Sequence, residues 1–162
     1  MIRLATHDDL PAIVDIFNAA IATRISVAFP HAVTVADRRL WFDAHSPPRY
    51  PIFVRVDDTG IAGWLSIEPY SERPAYDATA ELSLYVRPDV LYRGIGTALF
   101  THVLAGAPRL NITCFIARMF GTNAASIAFF SRNAFLRWGR LPAIATIDGE
   151  RRDLLIYGRH LT

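Results

Sequence analysis

Tyr85-Val86-Arg87-Pro88-Asp89-Val90-Leu91-Tyr92-Arg93-Gly94-Ile95-Gly96-Thr97-Ala98-Leu99 follows directly on the apolar stretch that begins at Glu81. It leads into Ile95, Ala98, Leu99, His102 and Val103, spaced as one face of a helix. A strand that passes through a glycine-containing loop into a helix aims several backbone N–H groups, and the positive end of the helix dipole, at one spot. Such a spot suits phosphate. Gly94 and Gly96 leave room for close approach, and Arg93 adds a mobile cation. A lone Gly-x-Gly is also what an ordinary tight turn before a helix contains. The dinucleotide fingerprint would need glycine at position 99, where Leu99 stands.

Outward from this junction the pattern alternates between strand and helix. Toward the N-terminus, Glu81 to Val86 is a strand, preceded by a hairpin of Pro51 to Val56 and Ile61 to Ile67 across Asp57-Asp58-Thr59-Gly60. Ile2 to Ala5 reads as an opening strand. Thr6-x-x-Asp9 resembles a capping box, and a helix starting near Asp8 carries Ile13, Val14, Phe17 and Ile21. Thr34-x-x-Asp37 caps a second helix through Trp41 and Phe42. Toward the C-terminus, Gly106-Ala107-Pro108 stops the helix after the junction. Asn111 to Met119 is a strand, Asn123 caps a helix through Ile127 and Phe130, and Phe135 to Arg140 and Asp153 to Gly158 close as strands. The order β-α-α-β-β-β-α-β-α-β-β predicts an α/β fold with a mixed, partly antiparallel sheet and helices on both faces. The loops at 45–51 and 68–75 are short, so residues 1–162 read as a single domain.

Composition narrows the chemistry. With 162 residues, 52% of them hydrophobic and 20% charged, the chain can bury a continuous core. It contains no lysine, so all 17 basic residues are arginine. That removes Schiff-base lysine, pyridoxal phosphate and Walker A chemistry together. The net charge of +2 is spread along the chain without a basic run, which argues against nucleic acid as a partner. Cys114 is the only cysteine, and the five histidines lack ligand spacing, so no metal is expected. No G-x-S-x-G elbow is present. A polar N-terminus and the lack of a long apolar run predict a soluble, cytoplasmic protein without a membrane partner.

The motifs also stand in a definite order. Ile2-Arg3-x-Ala5-Thr6-x-x-Asp9-Leu10-Pro11 is followed by Trp41-Phe42-x-x-His45, Gly63-x-x-Ser66 and Arg73-Pro74-Ala75-Tyr76. Then come Thr79-x-Glu81-x-Ser83-x-Tyr85-Val86-x-Pro88-Asp89, Gly94-Ile95-Gly96, Asn123-Ala124-Ala125-Ser126-Ile127 and Gly139-Arg140-Leu141-Pro142. In this order and spacing the chain resembles, over nearly its whole length, the GNAT acyltransferase superfamily and its phosphinothricin N-acetyltransferase-like branch. The resemblance implies a sheet with splayed central strands and acetyl-CoA as cosubstrate. It implies transfer of acetyl to the amine of a small amino acid or analogue, such as phosphinothricin or methionine sulfoximine, and a homodimer. Apolar surface for that dimer is expected in Arg24 to Phe29 or in the terminal strands.

Carried onto this sequence, the resemblance implies that Leu84, Tyr85 and Val86 pair with the pantetheine arm. Tyr92, Arg93, Gly94, Ile95, Gly96 and Thr97 would hold the pyrophosphate. Asn123, Ser126 and Phe130 would line the cofactor, although Asn123 is equally a helix cap. Glu81 aligns with the general base that an ammonium acceptor needs before it can attack a thioester. Arg73 and Tyr76 lie just before the strand that carries Glu81, close enough along the chain to help hold the acceptor, with the planar fork of Arg73 suited to a carboxylate. Four positions depart from the pattern: Leu91 replaces Arg or Gln, Tyr92 and Ala134 stand where glycine is usual, and Phe130 replaces a Tyr or His able to protonate the thiolate. They leave a second class open, a weakened relative that binds CoA as a sensor or interaction module.

Overall fold

The computed structural model describes residues 1–45 and 47–161. In chain order the elements are β1 (Ile2–Leu4), α1 (Leu10–Ala22), α2 (Val35–Asp43), β2 (Ile52–Asp57), β3 (Gly60–Pro69), β4 (Thr79–Val86), α3 (Ile95–Gly106), β5 (Cys114–Phe120), α4 (Ala124–Arg132), β6 (Leu136–Ile147) and β7 (Glu150–His160). The expected order is therefore observed. The loop expected at 45–51 includes Ser46, which lies outside the described residues. Among the described residues no helix is long and apolar enough to cross a membrane.

One mixed seven-stranded sheet has the order β1-β2-β3-β4-β5-β7-β6. Strand side chains alternate between faces, so β2 and β3 serve two cores at once. Ile52, Val54 and Trp64 pack with Ile13 and Phe17 of α1, while Trp41 and Phe42 of α2 lean on the same cluster. On the opposite face Leu65, Ile67 and Leu82 pack with Leu99, Phe100 and Val103 of α3 and Phe130 of α4. The feature that positions the site is a fork. Among the described residues β4 and β5 are the one parallel pair, and their pairing covers only Thr79–Glu81 against Cys114–Ile116. Beyond it, the rest of β4 keeps β3 as its neighbour, with Leu84 opposite Leu65 and Val86 opposite Gly63. Its other edge is free.

Boundaries differ where local chemistry overrides the apolar pattern. The expected opening of α1 near Asp8 is a 3-10 turn over His7–Asp9, and the α-helix begins at Leu10. Asp9 supports that entry by accepting hydrogen bonds from the Thr6 N–H at 2.8 Å and from both guanidinium arms of Arg3 at 2.6 and 2.8 Å. The strand expected from Asn111 starts at Cys114, because the 3-10 turn Ala107–Leu110 ends on Asn111 in the left-handed region at φ 56°. The two final strands are longer than expected and form one hairpin. Asp148 and Gly149, both at positive φ, make its tight turn. A register shift between Leu141 and Ala145 absorbs Pro142.

Candidate active site

The fork opens two spaces that share a wall. Between α1, α2 and strands β3–β5 lies a pocket of about 350 Å³ that contains Glu81. On the other side a cleft of about 580 Å³ runs from Leu84, Tyr85 and Val86 along residues 94–97 to α4. Tyr85 and Ser26 line both.

The cleft is rich in unused donors. Gly94 is the N-cap of α3 at φ 77°, and no side chain caps that helix. Ile95, Gly96 and Thr97 have no backbone or side-chain acceptor for their N–H groups among the described residues. A Cβ at Gly94 would meet nothing within 4 Å, whereas one at Gly96 would meet Leu84 and Phe129 at 3.3 and 3.4 Å. At α4 the Asn123 side chain, 6% exposed, accepts from the Ser126 N–H at 3.1 Å. It is a helix cap, and its Nδ2 has no partner among the described residues. Phe130 stands edge-on to Phe129 and Phe135 with ring centroids 5.3 and 4.9 Å away, and it offers no proton.

The pocket holds charge of both signs. Glu81 occupies the last paired position before the strands part, directly opposite Glu68 of β3. Arg118 of β5 donates from Nε to Glu81 Oε1 at 2.7 Å. Glu68 Oε1 accepts from Ser66 Oγ at 3.1 Å and Trp41 Nε1 at 3.3 Å. The ring of Tyr85 packs against Trp64 and Phe17, with centroids 4.7 and 5.3 Å apart. Burial raises its phenol to about 12, so it keeps its proton at neutral pH.

The profile of the Acetyltransferase (GNAT) family matches residues 17–135, which supply all of the cleft's lining and all of the pocket's but Leu154. The chain belongs to the GNAT family. It is 42% identical, over 99% of each chain, to Bacillus subtilis YwnH, provisionally named a phosphinothricin acetyltransferase. It is also 32% identical to the L-methionine sulfoximine/L-methionine sulfone acetyltransferase of Pseudomonas paraeruginosa, covering 94% of this chain and 90% of that one. The crystal structure of a Sinorhizobium meliloti GNAT phosphinothricin acetyltransferase with acetyl-CoA superposes with a TM-score of 0.92 at 25% identity, over 99% of this chain and 88% of that one. Of the two classes left open by the sequence, this one is the enzyme: an acetyl-CoA-dependent N-acetyltransferase.

In this GNAT enzyme the residues expected at the cofactor gather in the cleft, with one exception. Leu84, Tyr85, Val86, Tyr92, Gly94, Ile95, Gly96, Thr97, Asn123, Ser126 and Phe130 all line it, and Leu91 joins them. Arg93 is exposed and outside that lining. Of the residues expected at the acceptor, Glu81 lies in the pocket. Arg73 and Tyr76 do not: both are exposed in the loop before β4, where Tyr76 stacks edge-on against Tyr70 at 5.4 Å. In their place the GNAT fold brings Arg38, Glu68 and Arg118, none of which sequence reasoning singled out. A signal existed for two of them. Arg118 is the only charged residue in the apolar strand Cys114–Phe120, and Arg38 precedes Trp41 by three residues, one helical turn along the same face. Among the described residues no group of three His, Cys, Asp or Glu side chains is placed to hold a metal.

Proposed function

We propose that this GNAT enzyme acetylates the primary amine of a small amino acid or amino-acid analogue, of the phosphinothricin or methionine sulfoximine type, with Glu81 as general base. The observation that carries the reading is the shared wall at Tyr85, with a carboxylate in the pocket on one side and a row of unfilled amides in the cleft on the other. The relatives named for such substrates support the acceptor class.

Acetyl-CoA, when bound, supplies an activated thioester. The amides of Ile95, Gly96 and Thr97, with the start of α3, suit its pyrophosphate, and Tyr92 and the exposed Arg93 flank that turn. The free edge of β4 at Leu84–Val86 and the Nδ2 of Asn123 suit the pantetheine amides, with Ser126 and Phe130 on the α4 side. An amino-acid amine holds its proton at neutral pH. Glu81 removes that proton, directly or through water, while Arg118 fixes the carboxylate's orientation by binding one oxygen and leaving the other free. Burial holds the Tyr85 phenol up at about 12, so it keeps its proton at neutral pH. Because Phe130 has no proton to give, the thiol leaves as thiolate or takes its proton from water.

The same reading takes residues 1–162 as one catalytic domain working in the cytoplasm on small molecules rather than nucleic acid. It also takes the enzyme as a homodimer, supported by apolar residues left exposed in the two stretches expected to carry an interface, among them Ile25, Phe29, Leu136 and Ile144.

Thioester consumption with phosphinothricin, methionine sulfoximine and simple alkylamines tests the proposal. Glu81→Gln is expected to lower kcat on the order of a hundredfold or more, while acetyl-CoA still raises the melting temperature as it does in the wild type. An unchanged rate, measured where chemistry limits turnover, removes Glu81 as the base. Turnover of alkylamines but of neither amino acid removes the acceptor class.

A further inference from the structure

We propose that Arg38 of α2 binds an oxyanion of the acceptor and thereby selects amines that carry one; the proposal rests on the amino-acid reading above and names the residue that enforces it. Arg38 lines the Glu81 pocket and is held there by aromatic rings. Its guanidinium carbon lies 3.8 Å from the centroid of Trp41, 4.7 Å from Phe17 and 6.0 Å from Phe29. Trp41 is itself tied to Glu68 through its indole N–H.

Stacking uses the faces of the guanidinium and leaves its N–H edges free. Among the described residues none of those N–H groups has a hydrogen-bond or ion-pair partner. This is unlike Arg118, which is engaged by Glu81. A half-buried cation loses water without gaining an acceptor, and burial pulls Arg38 below its ordinary value accordingly. An oxyanion entering the pocket would supply the missing partner, in the planar geometry for which the guanidinium fork is suited. Glu81 and Glu68 stand opposite each other on the strands that form the floor, so the pocket offers carboxylates to an ammonium and one unpartnered cation to an anion. That is the charge pattern of a zwitterion. Arg73, the other candidate for this role, lies outside the pocket.

The chemistry admits two sources, the α-carboxylate or an anionic group at the end of the side chain. Steady-state kinetics of wild type, Arg38→Met and Arg38→Lys should therefore be measured with methionine sulfone, its carboxamide and phosphinothricin. In Arg38→Met we expect KM to rise about 10- to 100-fold for an anion-bearing acceptor, with kcat near wild type, and to stay unchanged for the carboxamide. Arg38→Lys should recover part of the loss. A rise for sulfone and phosphinothricin alike assigns the α-carboxylate; a rise for phosphinothricin alone assigns the phosphinate. An equal change for the carboxamide, no change for any acceptor, or the same anion-dependent rise in Arg73→Ala in place of Arg38→Met overturns the proposal. Wild-type turnover of the parent amines tests the acceptor class separately. If there is none, melting shifts caused by the same three amines in the presence of CoA decide: a shift with the anionic amines that disappears in Arg38→Met sustains the role of Arg38. A shift that survives in the variant, or is absent in both proteins, ends it.

Discussion

Ala134 shows how much a single backbone angle can matter. It follows α4 at φ 61°, in the left-handed region that favours glycine. The Phe135 N–H reaches back to the Phe130 carbonyl at 3.0 Å and the Ala134 N–H to Ser131 at 3.2 Å, the bonding of a Schellman cap. Phe130 and Phe135 complete it with an edge-on contact. The left-handed conformation costs a residue with a Cβ about 1–2 kcal/mol, partly offset because glycine has more freedom to lose on folding. Ala134→Gly should therefore stabilise the protein by up to about 1 kcal/mol and raise the melting temperature by about 2–4 °C. Calorimetry checks this, and a lower melting temperature would show that the cap is not limited by its Cβ. Tyr92, at φ 61°, also stands where the family usually has glycine, but it is 94% exposed on the cleft loop. Two of the four departures visible in the sequence, Tyr92 and Ala134, are thus backbone positions before they are chemical ones.

Between elements, Asp9 joins the first strand to the first helix. Its carboxyl group, nine-tenths buried, is held below the usual carboxylate range first by the Arg3 hydrogen bonds and then by those from Thr6, against the opposing cost of burial. For a depressed carboxyl the sign is fixed. The stabilisation is complete above the unfolded value of about 3.9 and is lost as pH falls through the folded one. Asp9→Asn should melt below wild type at pH 7, with the gap narrowing as pH falls below about 4. Melting curves from pH 7 to 2.5 measure that gap. A constant difference would mean that Asp9 acts through packing or capping rather than through its charge. The same clamp sets the start of α1, whose Phe17 packs against Tyr85 at the shared wall, so a charge pair at the sheet's edge reaches the site through one helix.

At the scale of the whole molecule the open question is assembly. β6 ends the sheet, and Leu136, Trp138, Leu141 and Ile144 along it are 69, 44, 42 and 58% exposed. An uncovered edge with apolar side chains is a liability in a lone chain and an asset in an interface. The loop after α1, with Ile25 and Phe29 exposed, is joined to the β6–β7 turn by Arg24, whose Nε and Nη2 bind Asp148 at 2.8 and 2.6 Å. That ion pair ties the loop to the hairpin. Sedimentation at micromolar concentration should show a dimer, and Leu136→Asp with Ile144→Asp should convert it to monomer. A wild type that sediments only as monomer refutes the dimer.

The element order, the caps at Thr34 and Asn123, and the strand-loop-helix junction at 81–99 were legible in the sequence because each rests on residues close along the chain. Periodicity, an N-cap and a glycine at positive φ are local physics. So is one wall of the cleft, which the end of β4 and the junction after it supply, while α1, the loop after it and α4 supply the rest. Of the pocket's charged residues only Glu81 was picked out from the sequence. Arg38, Glu68 and Arg118 come from a helix and two strands far apart in sequence, and they meet only because β4 and β5 part after three paired residues. No spacing rule reports that fork. Arg73, placed near the acceptor by its closeness to Glu81 along the chain, stays on the exposed loop because Pro74–Tyr76 turns away in a 3-10 helix before β4 begins. Local sequence decided which segments are helix, strand and glycine-containing loop; long-range packing decided which charges share a pocket, because ion pairs and cavities depend on distance in space rather than along the chain.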